Sequence, residues 1–305
     1  MNSIGRIFRL NIFGESHGEC VGILMDGIPP GIPIRVEDFT NDIQRRKPGT
    51  SGTTTRLEED LPIIKSGVFN DFTSGAPILI EFQNSNKRSS VYSTVINQPR
   101  PGHSDFVAHK KFKGYNDYRG GGHFSGRLTL PIVAAGVVAK KIFSDLIIQT
   151  KILEIGGNEN VDAALQNAIE NQDSIGGIIE CRVTGIPIGI GEPFFDSIES
   201  VLSHLIFSIP AVKGIEFGSG FSAAKMKGSE HNDVFINEEG TTKTNNSGGI
   251  SGGLSNGNEL VLRIAIKPTS STPSQQESFN LQTSQMEKFK IEGRHDLCIA
   301  LRVPV

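Results

Sequence analysis

The pattern of apolar and polar residues along the chain predicts short strands that alternate with a few helices. Runs of apolar and β-branched residues, bounded by Gly, Pro or polar clusters, predict strands at residues 4–12, 20–25, 63–69, 77–82, 176–184 and 260–266. Helices are predicted at residues 36–45, 129–148 and 195–207, and the second should be deeply buried because its first half is apolar nearly all round. The polar stretch at residues 272–287 is expected to be an exposed excursion. The expected fold class is α/β or α+β, with mixed sheets packed on central helices.

The composition narrows the classes of function. The chain has 305 residues, which suits one large or two ordinary domains, and 37% hydrophobic residues can supply a core. The net charge of -3 gives no basic field to recruit nucleic acid. The sequence has no run of about 18 apolar residues and no signal-peptide core, so neither a membrane span nor secretion is expected. The cysteines, Cys20, Cys181 and Cys298, lie far apart without metal-ligand spacing, which favours a reducing compartment.

Two segments near the N-terminus carry candidate chemistry. Residues 14–18, Gly-Glu-Ser-His-Gly, place Ser16 and His17 between two glycines at a predicted strand end, although a plain polar hairpin turn is an equal alternative. Residues 45–51, Arg-Arg-Lys-Pro-Gly-Thr-Ser, combine cations with hydroxyls and suit an anion with several oxygens. The alternative for this second segment is a solvated basic helix end, since cations there also complement the helix dipole.

Three further segments lie in the middle and at the end of the chain. A triple glycine at residues 120–122 precedes the buried helix and follows Arg-Pro-Gly-His-Ser-Asp at residues 100–105, so backbone N–H groups could approach an anionic or planar ligand. The triple glycine does not match the glycine pattern of dinucleotide-binding folds. Residues 244–253 and 267–271 could bind phosphate or ring heteroatoms, although composition alone favours a flexible loop. At residues 293–296, an Arg beside the carboxylate would keep Asp296 ionised and able to act as a base.

Taken together, these segments resemble one family. The motifs GESHG, RRKPGTS, RPGHSD, DYRGGG, GIEFGSGF, TNNSGGISGG, KPTSS and GRHD occur in the order found in chorismate synthases, from near the start of the chain to its end. The resemblance implies a carbon–oxygen lyase of the shikimate pathway of aromatic amino acid biosynthesis. Such an enzyme performs an anti 1,4-elimination of phosphate from 5-enolpyruvylshikimate 3-phosphate to give chorismate, and requires reduced FMN without net redox change. It also implies a cytoplasmic homotetramer with a β-α-β sandwich core.

The resemblance also assigns roles to residues. By analogy, His17 is an acid near the flavin, His103 protonates the leaving phosphate, and Asp296 helps to remove the ring proton with flavin N5. The substrate-binding residues implied are Ser16, Arg100 and Arg127. The implied cofactor-binding residues are Arg46, Ser125, Gly252, Lys267, Pro268, Thr269, Ser270, Ser271 and Arg294. No metal is implied, and neither nucleic acid nor a membrane is an expected partner.

The chain also departs from the family pattern. Residues 123–128 read His-Phe-Ser-Gly-Arg-Leu where many members have Arg-Ser-Ser-Ala-Arg-Glu. We expect residues 1–305 to form a single domain of this family, without the further C-terminal helical segment that members usually carry. NADPH is a candidate reductant, and the sequence leaves open whether the chain reduces its own flavin. Two alternatives remain: a phosphate-ester lyase or phosphatase that needs no flavin, and a truncated, inactive relative that only binds a phosphorylated ligand.

Overall fold

The computed structural model describes residues 2–49, 51–87, 89–92, 95–291 and 295–305. The strands within these ranges are β1 (Ser3–Ile4), β2 (Arg9–Gly14), β3 (Cys20–Asp26), β4 (Ile63–Ser66), β5 (Val68–Phe69), β6 (Phe72–Thr73), β7 (Ile78–Gln83), β8 (Ile147–Ile155), β9 (Gly177–Thr184), β10 (Val212–Phe217), β11 (Ile250–Ser251), β12 (Leu254–Ser255), β13 (Leu260–Ile266), β14 (Gln276–Asn280) and β15 (Gln285–Phe289). The α-helices are α1 (Thr40–Arg46), α2 (Asp105–Lys111), α3 (Thr129–Ile142), α4 (Val161–Glu170), α5 (Ile198–Ile206) and α6 (Gly228–His231). Helices and strands are mixed along the chain, and every strand pair is antiparallel.

The first half of the chain forms a five-stranded sheet with the order β1-β2-β3-β7-β4. Strands β2 and β3 are the hairpin that the sequence predicts, with Ile12 opposite Ile23. Side chains alternate across β7, so that Ile78 and Ile80 point into the core. One face of the sheet packs against α3, where Leu130 and Val138 are fully buried. This contact forms the first hydrophobic core.

The second half forms a four-stranded sheet with the order β10-β13-β9-β8. Strand β13 is buried over most of its length and occupies the predicted residues. Its neighbour β9 also matches the prediction to within a residue. The second hydrophobic core gathers Ile179, Ile264 and the C-terminal residues Cys298 and Ala300.

Helix α3 is shorter than predicted. The predicted helix runs to residue 148, but α3 ends at Ile142, where Phe143 leaves the helical region with φ -116° and ψ 62°. Residues from Ile147 onward instead pair with β9 as the edge strand β8. Apolar side chains continue across this boundary, and a run of apolar residues does not by itself distinguish a buried helix from a strand.

Other segments also differ from the prediction. The strand expected at residues 4–12 is interrupted, because Gly5 has φ 101° and a Cβ there would lie 1.9 Å from the Phe8 carbonyl oxygen. The expected excursion at residues 272–287 contains most of the β14–β15 hairpin. Within the ranges given above, no helix has both the length and the apolar character to cross a bilayer.

Candidate active site

A cavity of about 810 Å³ runs beside α3. Its lining extends from Ser125 and Arg127, just before the helix, to Phe143 just after it. Polar side chains surround the N-terminal end of α3. Further along, Ile132 and Val133 face Leu205 of α5, so this stretch is apolar. A site with a charged end and an apolar wall suits a polar ligand that must be shielded from water.

The triple glycine forms a turn beside this cavity. Gly120, Gly121 and Gly122 all have positive φ, at 60°, 82° and 53°. A Cβ on Gly120 would lie 2.3 Å from His17 Cε1, and one on Gly121 would lie 3.4 Å from His103 Cε1. The turn therefore passes between the two histidines and brings them to one place, although they are far apart in sequence.

His17 lies directly behind the lining and is almost inaccessible to solvent. Its ring makes an edge contact with Tyr92, at 5.4 Å between centroids. Burial, reinforced by the nearby guanidinium of Arg56, lowers the pKa of His17 to about 4. Arg56 also donates to Ser16 Oγ, at 3.1 Å. Without an anionic ligand, His17 is therefore neutral at physiological pH.

The loop that carries His103 is tied to residues 267–271. Lys267 Nζ donates to the Gly102 carbonyl oxygen at 3.1 Å and to Ser270 Oγ at 2.7 Å, and Ser270 Oγ donates to the same carbonyl at 2.7 Å. Arg100 donates to Ser271 Oγ at 2.9 Å. Burial lowers the pKa of Lys267, and Lys213 adds to the effect. Two separate sequence motifs thus form one surface of the site.

Four of the arginines around the polar end are each paired with a carboxylate. The pairs are Arg56 with Glu58 at 2.7 Å, Arg100 with Asp105 at 2.7 Å, Arg302 with Asp296 at 3.0 Å, and Arg127 with Asp60. Arg46 is fully buried, donates to the Gly126 carbonyl oxygen and Thr129 Oγ1, and approaches Asp60 at 3.9 Å. With Asp105 just behind the lining included, the described residues still set six arginines and one lysine against five side-chain carboxylates. This excess of positive charge suits a polyanion.

Several polar atoms around the cavity lack partners. Thr269 Oγ1, His295 Nε2 and His17 Nδ1 are buried and make no hydrogen bond to the described residues. Burial, reinforced by Arg100, lowers the pKa of His295 to about 4. Buried polar atoms without partners are costly in a folded protein, so these atoms point to a bound ligand or to water.

The sequence profile of chorismate synthases matches residues 8–305. The chain belongs to the chorismate synthase family. It is 60% identical over 306 residues to a chorismate synthase of Chitinophaga pinensis, covering 100% of this chain and 92% of that one. A chorismate synthase of Korarchaeum cryptofilum is 44% identical, covering 99% and 92% of the two chains. A crystal structure of a chorismate synthase superposes with a TM-score of 0.70 at 26% identity, over 86% of this chain and 84% of the other.

Family membership confirms the resemblance and with it the assignment to carbon–oxygen lyases of the shikimate pathway. These similarities give no support to the alternative of an inactive relative, since the match to chorismate synthases extends over the whole chain.

Most of the residues that the chorismate synthase motifs implied lie around the cavity. The lining includes Ser16, Arg46, Arg100, His103, Ser125, Arg127, Thr269, Ser270, Ser271 and Asp296. Lys267 and Pro268 lie next to this set but outside the lining. Gly252 is exposed at the turn between β11 and β12, away from the lining. Arg294 lies outside the described residues.

The charged residues at the chorismate synthase site that were not predicted individually include Arg56, Asp60 and Asp105. Asp105 belongs to a marked motif, residues 100–105, and Arg56 closely follows another, residues 45–51, but composition does not say which side chain points at the site. Asp60 carries no local signal at all, because its partner Arg127 comes from a distant part of the chain.

The residues present fit a flavin mononucleotide. The Lys267 ammonium and the hydroxyls of Ser270 and Ser271 supply donors for a phosphate, and the unpaired Thr269 Oγ1 adds a fourth polar group beside them. The apolar wall along α3 can accept a planar ring system.

Proposed function

We propose that this chain catalyses the anti 1,4-elimination of phosphate from 5-enolpyruvylshikimate 3-phosphate, giving chorismate, with reduced FMN as the required cofactor. One observation carries the proposal: His17, His103 and Asp296 lie at or directly behind the lining of a single cavity in which cations outnumber carboxylates. The substrate has one phosphate and two carboxylates, and the arginines of the cavity match those charges.

In this mechanism the arginines bind and orient the anion. Arg100 and Arg127 hold the substrate, and His103 donates a proton to the phosphate as the C–O bond breaks and its electron pair leaves with the phosphate. Asp296 takes the ring proton, the electrons of that C–H bond form a new double bond, and the existing ring double bond shifts towards the carbon that loses phosphate. Asp296 is suited to this role because Thr54 N and the Arg302 guanidinium orient its carboxylate, at 3.0 Å each.

Reduced flavin supplies an electron-rich ring that stabilises charge at the allylic centre. Lys267, Thr269, Ser270 and Ser271 would hold it, and the apolar wall of α3 would exclude water from the reacting atoms. His17 lies behind Gly120 and acts as the acid near the flavin. Burial is the main cause of its lowered pKa, and an anionic ligand beside it would favour its protonated form.

An anaerobic assay tests the activity. The purified chain is mixed with 5-enolpyruvylshikimate 3-phosphate and chemically reduced FMN, and chorismate and free phosphate are both measured. Equal amounts of the two products, formed only with reduced FMN, are expected. Phosphate release without flavin would instead identify a phosphatase, and no product at all would contradict the proposal.

We further propose that the protein is a cytoplasmic homotetramer. Phe194, Phe195 and Phe221 each expose more than four-fifths of their surface, which favours burial against another subunit. Light scattering of the purified protein is expected to give four times the mass of the 32.9 kDa chain. A monomer in the presence of FMN and substrate would contradict this assembly.

The finer architecture is also a proposal: the two sheets enclose the central helix as a β-α-β sandwich within one domain. Helix α3 supports it, because Leu130 and Val138 pack on the first sheet while Ile132 and Val133 line the cavity that separates α3 from α5. The second face of the helix is thereby turned towards the second half of the chain.

A further inference from the structure

Asp105 makes an unusually complete set of contacts for a residue without an assigned role. It is the first residue of α2, and its side chain is only 5% exposed. One carboxylate oxygen accepts from Arg100 N at 3.1 Å and Arg100 Nε at 2.7 Å. The other accepts from Arg100 Nη2 at 2.8 Å and lies 2.6 Å from His103 Nδ1. The carboxylate therefore joins Arg100 to His103.

The contact with His103 determines which ring nitrogen faces the cavity. A carboxylate at 2.6 Å requires a proton on Nδ1. Arg100 Nη2 also lies 3.1 Å from Nδ1, but it has an acceptor in Asp105 at 2.8 Å and does not need the ring. Nε2 is on the other side of the ring, 3.5 Å from the position of a Cβ on Gly121. Proton exchange with a ligand is thus restricted to Nε2.

The charges around this pair keep Asp105 ionised. Burial alone would raise the pKa of Asp105, but hydrogen bonds from Arg100 and His103 hold it well below its usual range. Among the described residues, the other titratable groups near the ring are Lys267, which donates to the Gly102 carbonyl oxygen, and His295. Asp105 therefore acts as a fixed negative charge and does not deliver a proton itself.

We propose that Asp105 is a positioning residue for the reaction: it fixes His103 with the proton on Nδ1, so that Nε2 is the atom that protonates the leaving phosphate. The inference rests on the proposed function of His103 as the acid. In the step, the Nε2 proton moves to a phosphate oxygen, the C–O electron pair leaves with the phosphate, and the ring becomes neutral while it keeps Nδ1–H against Asp105. An oriented carboxylate of this kind stabilises the correct tautomer without being protonated.

A double-mutant cycle tests whether Asp105 acts through His103. The variants Asp105→Asn, His103→Gln and the double variant are assayed anaerobically with 5-enolpyruvylshikimate 3-phosphate and reduced FMN. Asp105→Asn is expected to lower kcat by about 10²–10⁴-fold with little change in KM, because the protonated ring and its neutral Nδ1–H product then lose the carboxylate that stabilises and orients them. In the His103→Gln background the same substitution should have almost no further effect.

The control is Asp38→Asn. Asp38 also lies in the first turn of a helix, accepts from a backbone N–H at 2.7 Å and pairs with a cation, Lys141, at 2.9 Å, but it does not line the cavity. The Asp38→Asn variant should therefore have an unchanged kcat. If Asp105→Asn lowers kcat by the same factor in the His103→Gln background as in the unaltered protein, the inference is overturned. Near-normal kcat in His103→Gln alone would instead remove the acid from the proposed function.

A measurement on the unaltered protein covers the case in which Asp105→Asn fails to fold. ¹⁵N spectra of histidine-labelled protein, with His103 assigned by comparison with His103→Gln, report the tautomer in alkaline solution. We expect the proton on Nδ1. The Nε2–H tautomer would refute the positioning role regardless of any kinetic result.

Discussion

At the scale of single residues, the site depends on buried carboxylates that hold its arginines. Asp60 shows this most clearly, because it has a φ of 54° although it is not a glycine, and its side chain is 3% exposed. A strained backbone kept at a functional site indicates that the surrounding contacts over-determine it. Here the contact is with Arg127, and Arg46 lies nearby.

Asp60→Asn is therefore expected to destabilise the protein. Asn tolerates positive φ, so the change removes the charge while the backbone is retained. Leaving the buried guanidinium of Arg127 unpaired should cost about 3–5 kcal/mol of unfolding free energy. Chemical denaturation measures it. Asp71→Asn is the control, since Asp71 also has positive φ, at 64°, but forms an exposed pair with Arg35. Equal losses in both variants would rule out the buried pair as the cause.

Stability should also depend on two buried histidines. The folded pKa values of His17 and His295 are about 4, below the ordinary 6.5. Between these values the unfolded chain binds more protons, so the free energy of unfolding should fall as the pH drops from about 6.5 towards 4. Glu58, whose pKa is lowered from 4.5 to about 2, contributes only at lower pH. The window between pH 6.5 and 4.5 thus isolates the histidines.

Denaturation curves across that window provide the measurement. His17→Gln and His295→Gln should each reduce the slope of stability against pH, because each removes one titrating group. His204→Gln, at an exposed histidine, should leave the slope unchanged. Parallel slopes in all three variants and the unaltered protein would exclude this origin of the pH dependence.

At the scale of elements, the triple-glycine turn is what brings the two histidines together. Gly120 and Gly31 both have positive φ, but a Cβ on Gly120 meets the His17 ring whereas one on Gly31 meets nothing within 4 Å. Gly31→Ala should cost only the backbone strain of about 1–2 kcal/mol. Gly120→Ala should cost more and also lower activity, as His17 is displaced. Thermal denaturation and the anaerobic assay compare the two variants. Equal melting temperatures, together with full activity of Gly120→Ala, would contradict the role of the turn.

The sequence predicted the regular elements better than the boundaries between them. Strand β13 has the pattern of a buried strand from end to end and was found at the predicted residues. Helix α3 was predicted six residues too long, because the switch from helix to strand at Phe143 depends on pairing between β8 and β9. Helix α2, of seven residues, and helix α4, of ten, were both missed.

The same limit applies to the site. Motifs identified His17 and His103 because they are local in sequence. The pairing of Asp60 with Arg127 is long-range, and no spacing within either segment encodes it. The sequence therefore predicts the motif residues of the site more readily than the distant partners that pair with them.

At the scale of the whole molecule, the two cores meet around the cavity. Hydrogen bonds link the two halves. Leu297 N donates to the Gly52 carbonyl oxygen at 2.8 Å, and Arg302 Nε donates to the Arg46 carbonyl oxygen at 2.9 Å. Arg45 Nη2 donates to the Pro304 carbonyl oxygen at 2.7 Å. A ligand in the cavity would touch both halves and add to these links.

Binding should therefore stabilise both cores together. The substrate at 100 times its Kd is expected to raise the free energy of unfolding by about 2.7 kcal/mol. Differential scanning calorimetry should show one transition that shifts as a unit. Two transitions, of which the substrate moves only one, would mean that the cores are independent.

The hydrogen bond from Lys267 to the Gly102 carbonyl oxygen affects the order in which the two ligands bind. Without ligand, the ammonium is occupied by the loop that carries His103. A phosphate that recruits Lys267 would break one of the bonds to that loop, while Ser270 Oγ still donates to the same carbonyl, so the arrival of the first ligand would loosen the segment that carries the acid acting on the second. Initial-rate kinetics should then follow a sequential, ordered scheme. Lys267→Met, which lacks this bond but keeps the one from Ser270 Oγ, should bind the two ligands with less preference for their order.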